Sequence, residues 1–276
     1  MSTPSGPPAI TLFRGFKEPG AFVWSPFVTK LEARLRFSGL PYAAGVGSPR
    51  QAPKGKVPYV EIATGGGPGG TTKTTTTLAD STLIVAALCA DGVLSDLAAP
   101  LSKVERAHDL ALRALLEDKL SFYHAWERWM QNFYTMRDHV LWPISWPLRV
   151  LVGAIIHRNM VATLHGQGTG RFDADEIAAF RREIWSSFAD LLLESRAKQA
   201  RTADDDDDDD EGRPFWVLGH PEPTDADATL FGFIVSTLLA TAGPGSQADV
   251  KSFPVLLEYA RRIRERYFPD YEALPA

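Results

Sequence analysis

Three short stretches near the start of this chain carry groups that can handle an anion. In Trp24-Ser25-Pro26-Phe27 a serine hydroxyl stands immediately before a proline. Proline suits a first helical position because it has no N–H to leave unpaired and its φ is already near the helical value. Ser25 then lies at a helix start, where it can cap the helix or donate a hydrogen bond to a negative group. In Asp80-Ser81 an acid and a hydroxyl precede the apolar run Thr82-Leu83-Ile84-Val85-Ala86-Ala87-Leu88. Asp80 is a natural cap for that helix, whose first N–H groups attract anions. Between these two stretches, Lys54 and Lys56 stand just ahead of Val57-Pro58-Tyr59-Val60-Glu61-Ile62. That is a β-branched run whose proline belongs at a strand's beginning, at an edge or in a special turn.

Other chemistries lack their residues. The six histidines have no metal-ligand spacing, and there is neither an HExxH motif nor a Cys/His cluster. The glycines at 65–67 and 69–70 do not run into Gly-Lys-Ser/Thr, so a phosphate loop is not expected. Cys89 is the single cysteine, which leaves no intramolecular disulfide framework and suits a reducing compartment, with the cytoplasm as the default. Lys and Arg total 29 against 34 Asp and Glu, and much of the excess sits in seven adjacent aspartates at 204–210. With a near-neutral remainder, nucleic acid is not an expected partner. Residues 1–9 have neither the charged and apolar regions of a signal peptide nor the arginines of a transit peptide. The most apolar stretch, 141–152, is broken by Pro143, Pro147 and Arg149 and is shorter than the roughly 20 residues a membrane span needs. A span is not expected; surface association around Trp142 and Trp146 stays open.

The elements that must position these groups follow from hydrophobic period and turn signals. Residues 10–14 read as a strand, and Phe27, Leu31 and Leu35 have the i, i+4, i+8 rhythm of one buried helix face. Gly39 suits the end of that helix, 42–46 a second strand and 57–62 a third. Residues 64–77 are Gly- and Thr-rich and read as an exposed insertion, followed by a strand or turn and the helix after Ser81. From Leu101 onward strand signals vanish. Leucines and an aromatic group that includes Tyr123, Trp126 and Trp129 recur at spacings of three and four, the mark of one long helix or two stacked ones. Aromatics at that spacing pack into a core or line an apolar pocket. Further helices are expected over 146–164, over 177–194 behind an Asp173-x-x-Glu176 box, over 228–239 behind Thr224-x-x-Asp227, and over 255–267. The 228–239 run is nearly continuous in its apolar content, so that helix should be central. Residues 195–212 read as a charged linker.

This order of signals resembles the glutathione transferase superfamily: a strand-helix-strand start, Val57-Pro58, an acid-Ser pair opening a helix, and a helical half whose buried helix begins Thr-x-x-Asp. Three stretches look most like its metaxin-related branch, which includes the failed-axon-connections proteins. They are Ala52-Pro53-Lys54-Gly55-Lys56-Val57-Pro58-Tyr59-Val60-Glu61, His165-Gly166-Gln167-Gly168-x-Gly170-Arg171 and Pro223-Thr224-x-Ala226-Asp227-Ala228-Thr229-Leu230-Phe231-Gly232. The resemblance implies an α/β thioredoxin-like domain over 10–92, with an insertion at 64–77, followed by an all-helical glutathione-transferase domain over 101–272 with an acidic linker at 195–212.

It also implies roles. Pro58 takes the place of the family's cis-proline, with Val57 offering backbone N–H and C=O to the cysteinyl part of glutathione. Asp80 and Ser81 face the γ-glutamyl carboxylate, and Lys54 and Lys56 can pair with the glycyl carboxylate. Ser25 stands where related proteins carry a Ser or Cys before proline, so it would stabilise the glutathione thiolate. Tyr123, Trp126 and Trp129 could line a site for a hydrophobic second substrate. The implied function is a glutathione-dependent transferase with glutathione as cosubstrate and a small electrophile as its target; homodimers occur in the superfamily. The alternative is a non-catalytic, metaxin-like interaction or transport module.

Overall fold

The structure, a computed structural model, describes residues 8–16, 20–64, 74–202 and 213–275. Strand β1 (Ala9–Phe13) alternates, with Ile10 and Leu12 buried. It is flanked by β2 (Ala43–Gly45), parallel to it, and by β3 (Tyr59–Thr64), antiparallel; β4 (Thr74–Ala79) closes the sheet antiparallel to β3, in the order β2-β1-β3-β4. This is the expected thioredoxin-like mixed sheet. Helix α1 (Pro26–Phe37) begins at Pro26, and α2 (Ser81–Ala90) follows β4. Leu31 and Leu35 of α1 and Ile84 and Leu88 of α2 pack on Ile10, Leu12, Val60 and Ile62 of the sheet.

Two expectations need correction. Residues 64–77 are not wholly an insertion: Thr74 to Thr77 belong to β4, in register from Thr74 opposite Thr64 to Ala79 opposite Tyr59. Their side chains are exposed, so no apolar pattern marks the strand. Backbone pairing to β3 and the β-branched threonines, which fit a pleated edge, are enough to form it. Residues 65–73 lie outside the described residues. The 195–212 segment is likewise not all linker, because α7 (Ala174–Thr202) continues through 202. Ser195 is buried on that helix and donates to the carbonyl of Trp216 at 2.5 Å. The aspartate run lies outside the described residues.

Among the described residues, the remaining elements are helical. Helix α3 (Lys103–Ala114) passes through a π-type turn at Leu115–Leu120 into α4 (Ser121–Trp126), and a second π-type turn at Glu127–Gln131 leads to α5 (Phe133–Val140). Then come α6 (Trp146–Gln167), α7, α8 (Asp225–Leu239), α9 (Pro244–Lys251) and α10 (Pro254–Tyr267). Every residue of α8 from Ala226 to Leu238 is buried. Its start is held by Asp227, whose carboxylate accepts from the Thr224 N–H at 2.8 Å and the Thr224 hydroxyl at 3.0 Å.

Helix α1 lies between the sheet and α8, which explains eight consecutive buried residues from Val28 to Leu35. Three of them are charged, and each finds a partner: Lys30 with Glu117 at 2.6 Å, Glu32 with Arg14 at 3.0 Å, and Arg34 with Asp225 at 2.6 Å. The two helices approach so closely that a Cβ on Gly232 would stand 2.5 Å from the carbonyl oxygen of Pro26.

Candidate functional site

The sheet register brings the N-terminal candidates to one place. Tyr59 opens β3 and pairs with Ala79, the last residue of β4, so Pro58 and Asp80 are the next residues outward at the same end of the ladder. Val57 lies outside that ladder, which leaves its backbone N–H and C=O clear of sheet pairing. The Val57-Pro58 bond is cis. A cavity of about 280 Å³ opens here, lined by Phe27, Lys54, Lys56, Val57, Pro58, Asp80 and Ser81. Six of the predicted site residues thus surround one space.

Asp80 holds the N-terminus of α2. Its Oδ1 accepts from the N–H groups of Thr82 at 3.0 Å and Leu83 at 3.2 Å. Its backbone sits at φ 80°, a left-handed value that costs a non-glycine residue and concentrates at ligand-binding positions. Because both cap bonds use Oδ1, Oδ2 remains for another partner. Ser81, next to it, is buried and lines the cavity. Two lysines and one carboxylate therefore face a space at a helix's positive end, a charge pattern matching a ligand with two carboxylates and one ammonium.

Ser25 is the N-cap residue of α1, with φ −85° and ψ 114°, but its side chain makes no cap bond. Its hydroxyl is therefore not engaged in capping. It does not line the 280 Å³ cavity; Phe27, two residues on, does. What fixes Ser25 was not visible in the sequence. The preceding carbonyl, that of Trp24, accepts from the buried Arg128 guanidinium at 3.2 Å and from the Ser236 hydroxyl. The Trp24 ring stacks on His139 with centroids 3.5 Å apart, and Phe16 stacks on the same imidazole at 4.8 Å. Burial, assisted by the nearby Arg128 charge, pushes the His139 imidazole down to about 4, so it is neutral near pH 7. Burial likewise lowers the Arg128 guanidinium to about 10. These partners stand more than a hundred residues from Trp24, beyond any local pattern.

The aromatic candidates lie elsewhere. Tyr123 is buried in the helical core and stacks on Phe180 at 5.8 Å; Trp126 packs against the same core; Trp129 is buried beside Phe133. None of the three lines the Pro58 cavity. Helical spacing placed them on the inner faces of the bundle, where their large apolar area is buried. Two larger depressions lie apart from this site. One, of about 390 Å³, includes His220 paired with Glu105 at 2.9 Å, and the other, of about 620 Å³, includes Arg36 held by Asp270 at 2.8 Å and Tyr42 at 3.0 Å.

Residues 26–135 match the family model of the glutathione S-transferase N-terminal domain. The match takes in every residue lining the Pro58 cavity and begins immediately after Ser25. Among solved structures, a glutathione S-transferase from Rhodospirillum rubrum F11 superposes with a TM-score of 0.53 at 16% identity, covering 97% of this chain and 94% of that one. A glutathione transferase from Phanerochaete chrysosporium gives 0.52 at 17% identity, covering 97% and 99%. A glutathione transferase family member from Pseudomonas fluorescens pf-5, crystallised with two glutathione bound, gives 0.51 at 16% identity, covering 96% and 92%. With its four-stranded thioredoxin-like sheet and large helical C-terminal region, the chain has the glutathione transferase fold.

Proposed function

We propose that the Pro58 cavity binds glutathione and that Ser25 activates its thiol for attack on a small electrophile. The observation that carries this reading is the single cavity gathering Lys54, Lys56, Val57, Asp80 and Ser81. The γ-glutamyl ammonium would meet Asp80 Oδ2 and its carboxylate the Ser81 hydroxyl at the start of α2. The glycyl carboxylate would meet Lys54 and Lys56, and the cysteinyl amide the open backbone of Val57. The glutathione bound to the Pseudomonas fluorescens protein, which shares the fold, is consistent with this assignment.

Ser25 would donate its hydroxyl hydrogen to the glutathione sulfur. That bond and the positive end of α1 favour the thiolate, so the thiol proton leaves more readily near neutral pH. The sulfur then forms a bond to the electrophilic carbon, and any displaced group leaves with its bonding electrons. A serine forms no mixed disulfide, so conjugation is favoured over thiol exchange. An apolar electrophile would meet Phe16 and Trp24, which stack on His139, Trp24 being the residue before Ser25, in the role first assigned to Tyr123, Trp126 and Trp129.

Calorimetric titration with glutathione tests the reading, with saturable heat expected. No saturable heat up to millimolar ligand would overturn it and favour a non-catalytic, metaxin-like interaction module on the same fold. If glutathione binds, Ser25→Ala is expected to lower turnover with a model electrophile about a hundredfold. Unchanged turnover would remove Ser25 from the mechanism while leaving the binding site intact.

A further inference from the structure

A single peptide unit separates the buried Arg128 guanidinium from Ser25. Arg128 stands in the π-type turn Glu127–Gln131 and is 7% exposed. Its Nη1 donates to the Trp24 carbonyl at 3.2 Å, and its Nη2 donates to the Ser236 hydroxyl at 3.2 Å. The Ser236 hydroxyl in turn donates to the same Trp24 carbonyl, which closes a circuit of three groups. A trans peptide unit is planar, so holding the Trp24 carbonyl also fixes the Ser25 N–H on the opposite edge of that plane. Pro26 opens α1 at the next residue, so the circuit sets how Ser25 enters the helix.

The charge of Arg128 is not neutralised where it lies. Among the described residues, Glu127 is the one carboxylate that acts on it, and Glu127 is engaged elsewhere. Its oxygens accept from Arg181 at 3.0 Å, from the Gly245 N–H at 2.7 Å and from the Ser246 N–H at 3.1 Å. The imidazoles nearby, His124 on α4 and His139 on α5, bring no negative charge; burial, reinforced by Arg128, holds both neutral. Ser236 lies in the last turn of α8, the negative end of that helix, which lets the fold tolerate the guanidinium. A buried charge without a counter-ion still costs free energy. What it does here is draw electron density toward the Trp24 oxygen, leaving the Ser25 side of the peptide more positive.

We propose that Arg128, with Ser236, is a positioning residue for Ser25: by holding and polarising the Trp24 carbonyl it favours the glutathione thiolate at the start of α1. The inference rests on the reading that glutathione binds in the Pro58 cavity with its sulfur at Ser25. Arg128 acts through Trp24 and touches no reacting atom. Its effect therefore falls on ionisation of the thiol, whose proton passes to water, and not on capture of the tripeptide. Capture belongs to Lys54, Lys56, Val57, Asp80 and Ser81, which line the cavity. A purely structural Arg128 would lower turnover equally at every pH, whereas a polarising one lowers it most where the thiol is still protonated.

The test follows the ultraviolet absorbance of the thiolate of bound glutathione across pH, beside calorimetry and turnover with a model electrophile. Arg128→Met removes the charge and keeps most of the side-chain volume. Its thiolate midpoint is expected to rise by about one pH unit, with glutathione affinity below both midpoints within about twofold of wild type. Turnover is expected to fall about tenfold below the wild-type midpoint and to approach wild type above the variant's own. Ser236→Ala, a smaller change that keeps the charge, is expected to lower turnover about threefold; this readout stands even if Arg128→Met does not fold. A wild-type chain without saturable heat, or a midpoint that Ser25→Ala leaves unmoved, removes the underlying reading and this inference with it. Saturable heat and a Ser25-dependent midpoint that stays in place in folded Arg128→Met would overturn the inference alone. So would unchanged turnover in Ser236→Ala.

Discussion

Asp80 carries two jobs that a single substitution can separate. As a cap it holds the Thr82 and Leu83 N–H groups through Oδ1; as a charge it faces the cavity beside Ser81. Asparagine caps a helix as well as aspartate does and tolerates the left-handed backbone, but it brings no charge to an ammonium. Asp80→Asn is therefore expected to leave unfolding free energy within about 0.5 kcal/mol of wild type while weakening glutathione about tenfold. Urea unfolding and calorimetry on the same preparation check both halves. Equal affinity would make Asp80 a cap alone. Sequence reasoning reached Asp80 and Ser81 because a cap acts within three residues of itself. It placed Tyr123 and Trp126 less well, since a helical period reports which face is apolar but not whether that face meets a ligand or another helix.

At the scale of elements, the α1–α8 contact and the start of α8 each rest on one residue. Gly232→Ala puts a Cβ 2.5 Å from the Pro26 carbonyl and 2.8 Å from the Lys30 nitrogen. Both obstacles are backbone, so the helices must separate, at a cost of about 3 kcal/mol in urea unfolding. Gly166→Ala, in α6 where a Cβ meets nothing within 4 Å, is expected to be neutral or stabilising by about 0.5 kcal/mol.

Asp227 is fully buried and accepts from the Val217 N–H at 2.7 Å and the Tyr259 hydroxyl at 2.9 Å as well as from Thr224. Burial outweighs these donors and raises its carboxyl to about 6. A carboxyl with a raised pKa in the folded state binds its proton more tightly there than in the unfolded chain. The stability it confers is present below about pH 4 and is lost as pH rises through about 6. Asp227→Asn removes that slope. The stability of wild type relative to the variant is thus expected to fall by up to about 3 kcal/mol between pH 4 and pH 7. Parallel urea titrations at the two pH values measure it, and a constant difference would mean that Asp227 is ionised throughout.

Across the whole molecule, the sheet-bearing third depends on the helices that follow it. The charged residues of α1 are paired with Glu117 and Asp225 from the helical region, and Glu32 also accepts from the Tyr271 hydroxyl at 2.5 Å. Cutting the chain after residue 95 would expose the α8-facing side of α1 and leave those charges unpaired. The fragment is expected to show neither a cooperative melt nor dispersed amide resonances, and the full chain is expected to show both.

The sequence by itself determined what neighbouring residues decide together: Pro26 opening α1, the caps at Asp80, Asp173 and Thr224, and a continuous apolar run that had to become the buried α8. Each depends on bonds or burial within a few residues along one element. Only the tertiary structure decided that Thr74 to Ala79 pair as a strand, that Lys54, Lys56, Val57, Asp80 and Ser81 surround one cavity, and that Trp24 beside Ser25 is held by Arg128 and His139. Those outcomes join groups separated by anything from about ten to more than a hundred residues, and no local period records which distant surface will cover a given side chain.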